Sequence, residues 1–182
     1  MIWLSNSTIA RLRDRLRADG MRPSMALGRS PDGFTVEDAE LLNVAAEYGP
    51  FCEAMYLMMS ADGKITDDER NVLKGALRNL SGDSVRSAHI DAMLDQVGKQ
   101  VAEHGRDARL QDVVDRLRED SARAEVAFVL AAAIAFTDNA IADEENETLS
   151  AFAEGLGIDE ERADELLDSV EADLADRGRT SA

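Results

Sequence analysis

Apolar positions recur along the chain at intervals of three and four, with polar residues filling the gaps. That period is the mark of amphipathic helices, and it predicts helices near residues 5–18, 35–48, 51–61, 67–80, 84–103, 107–118, 121–137, 143–155 and 159–175. In the first, Ile9, Leu12 and Leu16 share one face, while Arg11, Arg13, Arg15 and Arg17 crowd the others. Residues 20–34 hold two Pro and three Gly and read as a linker. Thr35 then opens a helix with Glu37 and Asp38 in its first turn, and Gly49-Pro50 is expected to break it. Gly82, Gly105 and Gly157 punctuate the later helices. The run V-A-F-V-L-A-A-A-I-A-F at 126–136 is apolar on every face and predicts a buried helix. It falls short of the roughly 20 residues that span a bilayer. The expected architecture is all-α: residues 1–34 form a basic amphipathic helix and linker, and residues 35–182 a compact multi-helix domain.

That domain carries an internal repeat. A-M-Y-L-M-M-S-A-D-G-K-I-T-D-D-E-R-N-V-L lies on L-A-A-A-I-A-F-T-D-N-A-I-A-D-E-E-N-E-T-L without a gap. Asp62 falls on Asp138, Gly63 on Asn139 and Ile65 on Ile141; Asp67, Asp68 and Glu69 fall on Asp143, Glu144 and Glu145. Each copy reads as a helix, a tight acidic turn and a second helix, so a duplicated helix-turn-helix unit is expected.

Two chemistries compete for the turns. Thr66 with Glu69 is a capping box, in which each side chain satisfies the other's backbone amide. Asp67, Asp68 and Glu69 also sit where a helix dipole favours anions. In the second copy, however, Thr66 is replaced by Ala142, which cannot cap, yet Asp138 and the acidic triplet remain. Carboxylates converging with turn carbonyls are ligands for hard cations such as calcium or magnesium. The metal-ligand candidates are therefore Asp62, Glu69, Asp138 and Glu145, and the expected cofactor is a divalent metal ion of undefined identity. D-G-x-I-x-x-x-E equals the second half of an EF-hand loop. The first and third positions of such a loop are Met58 and Ser60 here, and Ile134 and Phe136 in the second copy, which argues against an ordinary EF-hand.

An apolar helix running into A-D-G-K-I-T-D-D-E, with T-D-N-A-I-A-D-E-E and L-x-x-F-A-E-G-L-G-I in a second copy, resembles the tellurite-resistance TerB family over roughly residues 36–175. The resemblance implies a helical fold with two such repeats, a role in tellurite and chemical-stress resistance, and acidic turns that bind metal. The second copy departs from the pattern, with Asn139 in place of Gly and Ala140 in place of Lys.

Composition narrows the picture further. Aromatics make up 4% of the chain, so the core must be built from Ala, Leu, Val, Ile and Met. A formal charge of −17 opposes nucleic-acid binding and suits cations or basic partners. The segment from Asp138 to Asp176 holds fifteen acids and one Arg. It reads as a solvated face, or as a docking surface for a basic protein or for the chain's own N-terminal helix. That helix, preceded by I-W-L, also resembles an interfacial membrane segment, so peripheral contact at the inner face of a membrane and docking on the acidic body are both expected readings. Cys52 stands alone and fits a reducing cytoplasm and a core position. His89 and His104 lack zinc-site spacing, and His89 is expected at the surface or an interface. No G-x-S-x-G, P-loop or dinucleotide fingerprint occurs. A non-enzymatic metal-binding module that acts through protein partners is expected; the alternative is a metal-free interaction scaffold whose acidic turns are caps only.

Overall fold

The computed structural model describes residues 6–18, 36–61, 65–136 and 143–180. All regular structure among them is helical. The helices are α1 (Asn6–Ala18), α2 (Val36–Met59), α3 (Asp67–Ser81), α4 (Ser87–His104), α5 (Arg106–Leu117), α6 (Ser121–Ala135), α7 (Asp143–Leu156) and α8 (Glu160–Thr180). The boundary expected after residue 34 lies outside the described residues, as do both acidic turns at 62–64 and 137–142.

Two helices form the centre. α2 and α6 pack against each other, and the remaining six surround them. α6 can sit there because seven of its fifteen residues are Ala, which lets neighbouring backbones approach from every side. Its N-terminus is fixed by Asp120, whose carboxylate accepts from the amides of Ala122 and Arg123. α3 is set at the other end by Thr66, as the capping box requires. α4 passes directly into α5 at Gly105, whose φ of 83° and ψ of 155° lie in a region essentially reserved for glycine.

The expected break at Gly49-Pro50 does not occur: α2 runs through both as one 24-residue helix. An interior proline costs about 3 kcal/mol through a lost hydrogen bond and a ring clash. Against this, α2 buries Val44, Tyr48, Phe51, Met55, Leu57, Met58 and Met59 on both sides of the proline. At roughly 1.5–3 kcal/mol for each large side chain, two of these offset it. Arg123 of α6 supports the disturbed turn. Its guanidinium donates to the Glu47 carbonyl at 3.2 Å and lies 5.5 Å over the Phe51 ring.

The first helix is docked. Ile9, Leu12 and Leu16 are buried in the common core, and α1 packs on α3 and α6. Around it the packing obeys a repeated scheme. α1 touches α3 as α5 touches α7; α2 touches α4 as α6 touches α8; α5 lies on α2 as α1 lies on α6. Each leading helix is thus held by the central helix of the other half. α3 and α4 also touch each other, whereas α7 and α8 barely meet among the described residues.

Candidate functional site

Of the four carboxylates expected to bind metal, only Glu69 has a described side chain. Asp62 and Asp138 lie outside the described residues, and Glu145 is in the first turn of α7 with its side chain outside them. Glu69 is 5% exposed and closes the capping box. Its Oε2 accepts from the Thr66 amide at 2.7 Å and from the Thr66 hydroxyl at 2.7 Å, and the Glu69 amide donates back to Thr66 Oγ1 at 3.2 Å. The donor set on the described side of this turn fits a cap, with one carboxylate oxygen already committed. Among the described residues no group of three or more His, Cys, Asp or Glu side chains is placed to hold a metal ion.

Arg106, at the start of α5, joins the surroundings of the two turns. Its guanidinium donates twice to the Leu57 carbonyl, at 3.2 Å each, and once to Thr148 Oγ1 at 2.8 Å. One side chain therefore satisfies a carbonyl in the last turn of α2 and fastens it to α7. Burial pulls the Arg106 guanidinium below its ordinary value, with Asp107 opposing that shift. The end of α2, where the first acidic turn departs, is held beside the helix that the second turn enters.

A second polar cluster is buried beneath α5. Glu53 of α2 is 2% exposed and is held by Arg109, at 2.6 Å, and by Arg116. Arg109 also reaches Asp112 at 2.9 Å. This cluster closes one end of a cleft of about 440 Å³ between α2, α4 and α5, whose walls include Leu41, Leu42, Met93 and Val97. Glu53 was visible in the sequence as the only charge in P-F-C-E-A-M-Y-L, and such a charge needs a partner when buried. Nothing local identified Arg109 and Arg116, which lie 56 and 63 residues away.

A third cluster ties three helices together. Glu125 of α6 accepts from Arg162 of α8 through both oxygens, at 3.0 Å each, and from Arg15 of α1. The Arg162 hydrogen bond, helped by the Arg15 charge and opposed by burial, holds the Glu125 carboxyl below the usual carboxylate range.

Beside it runs a groove of about 560 Å³ between α6, α7 and α8. The α7–α8 connection contributes Ile158 and Asp159 to its lining. Phe128, Leu149, Ala153, Ile158, Ala163 and Leu167 contribute apolar surface, and Glu154, Asp159, Glu160 and Asp164 line it with carboxylates.

The remaining chemical candidates are structural. Cys52 is fully buried, and burial pushes its thiol up to about 12, with Glu53 adding to the rise. A thiol so placed is a core residue, as expected. His89 is a correction: it is 5% exposed rather than at the surface. Its Nδ1 accepts from the Arg86 amide at 3.3 Å at the start of α4, and Nε2 lies 2.9 Å from Arg86 Nη2. The side chain is drawn inward because it satisfies an amide that the helix start leaves unpaired.

Comparison with family models, with curated proteins and with solved structures gives no match.

Proposed function

We propose that this chain is a TerB-like, internally duplicated helical module that acts in the cytoplasm through protein partners in a chemical-stress response, without catalysis of its own. One observation carries the reading. α2 and α6 end at Met59 and Ala135, and α3 and α7 begin at Asp67 and Asp143, so both acidic turns leave and enter helices in the register of the sequence repeat. The packing scheme supports extending the duplication to α1–α4 and α5–α8. In this reading α1 is the counterpart of α5. Its apolar face is a structural contact, and moving it to a membrane would exchange one apolar surrounding for another while breaking the Arg15–Glu125 pair. The test is a strain lacking the gene, challenged with tellurite and with oxidants. Sensitivity restored by the intact gene supports the role, and undiminished growth under every challenge removes it.

A divalent ion at the acidic turns is the second reading, favoured by Arg106, which holds the end of α2 against α7. Asp62, Glu69, Asp138 and Glu145 would hold it, and it would pin the two junctions together. Chelator-treated protein melted with excess calcium, magnesium, manganese or zinc tests this. At a hundred times the dissociation constant the ion adds about 2.7 kcal/mol. A rise in midpoint with one ion, lost in Asp62→Asn with Asp138→Asn, is expected. No rise with any ion leaves the turns as caps in an interaction scaffold.

A further inference from the structure

We infer that the groove between α7 and α8 is a docking site for a basic amphipathic helix of a protein partner. The inference rests on the interaction-module reading and gives that module a surface and a partner class. The groove lies between three helices, and its floor is apolar: Phe128 of α6 and Leu149 and Ala153 of α7 are buried beneath it, and Ala163 and Leu167 of α8 are half-buried along its side. Its volume of about 560 Å³ accommodates a row of anchor side chains, the way a helix is read by a groove.

Charge selects the occupant. Glu154, Asp159, Glu160 and Asp164 line the groove, the other polar lining residues are the neutral Asn146 and Ser150, and no Lys or Arg is among them. An anionic membrane or a nucleic acid would be repelled by this lining. A helix with an apolar stripe flanked by Arg is matched on both counts.

The chain already uses this mode of recognition within itself. α1 seats Ile9, Leu12 and Leu16, at i, i+3 and i+7, in an apolar contact with α3 and α6, and its Arg15 pairs with Glu125 at the edge. The partner is therefore expected to present the same pattern.

A fluorescein-labelled peptide of residues 5–18, S-N-S-T-I-A-R-L-R-D-R-L-R-A, is a suitable probe, titrated with the full chain by fluorescence anisotropy. Saturable binding that weakens with salt is expected. Glu154→Lys with Asp164→Lys, both at exposed positions, should weaken it roughly tenfold or more. Asp95→Lys with Glu103→Lys, exposed on α4, makes the same change in net charge elsewhere and should alter it less than about twofold. A peptide with Ser at its three apolar anchors should not bind. Absence of binding overturns the proposal. So does equal weakening by the two charge-reversed variants, or equal binding of the Ser peptide. Any of these, with stress sensitivity still seen in the deletion strain, removes the groove and leaves the module reading standing. Loss of that phenotype removes the module reading whatever the peptide does.

Discussion

Replacing Glu53 with Met tests whether its buried carboxylate is held by pairing or merely tolerated. Met has a similar length and no charge, so the substitution removes the anion without opening a large cavity. Removing one member of a fully buried pair costs about 3–5 kcal/mol, because the other charge is left without a partner in a poor solvent. Here the loss is softened. The Arg116 side chain is 43% exposed and can turn to water, and Arg109, at 13%, retains Asp112. The expected cost of Glu53→Met is therefore just below that range, about 2–3 kcal/mol. For a domain of this size that lowers the midpoint by roughly 4–12 °C, and it should appear in urea melts followed by far-UV circular dichroism with an unchanged slope. Arg109→Met should cost about as much. The double substitution Glu53→Met with Arg109→Met should cost less than the sum of the two, since neither buried charge is left facing an apolar replacement, and the charges that remain, Arg116 and Asp112, reach water; a coupling of about 2 kcal/mol is expected. A single-variant cost below about 1 kcal/mol, or strict additivity in the double, would refute the argument that the pair is mutually dependent.

Three further outcomes are expected from the packing. Glu125→Gln should lower stability at neutral pH but not in acid. The folded carboxyl titrates below its ordinary 4.5, so its contribution is full above that value and is lost as pH falls through the folded one; urea midpoints of the two proteins should converge on acidification, and a constant gap would contradict the linkage. Cys52 should resist thiol reagents in the native state, with labelling that tracks unfolding in urea; rapid stoichiometric labelling of native protein would show the site to be open. Gly155→Ala places a Cβ 2.9 Å from Val114 Cγ1, so overpacking of about 1–3 kcal/mol should exceed the roughly 1 kcal/mol gained in helix propensity. In a Val114→Ala background the same substitution should become neutral or stabilising by urea denaturation.

What could be read from the sequence was what depends on near neighbours. Thr66 and Glu69 are three residues apart, and their reciprocal bonds form as the pattern predicts. The Ile9, Leu12 and Leu16 stripe was equally plain, because helix periodicity alone puts the three on one face. What that stripe packs on was not plain, since α3 and α6 are far along the chain. Pro50 misled for the same reason. Its local cost is real, but the compensation comes from core side chains and from Arg123 across the α2–α6 contact. Within the site, Glu69 was identified with both of its readings open, and the capping box is present. Arg106 gave no signal, because a lone arginine at a helix start says nothing about a carbonyl 49 residues earlier. The acidic surface near the C-terminus was visible as composition. That it borders a groove depends on how α6, α7 and α8 pack together, which no local residue pattern encodes.

The exchange of leading helices between the halves also has a consequence for timing. Arg15 and Glu125 are 110 residues apart. At about 5–20 residues per second, α1 is synthesised roughly 5–20 seconds before α6, one of the two helices it packs on, exists. During that interval Ile9, Leu12 and Leu16 have only the α3 side of their seat. α5, by contrast, finds α2 already made when it emerges, although its contact with α7 must come later. The second half thus assembles on a partner that is in place, and the first half is completed only when α6 arrives.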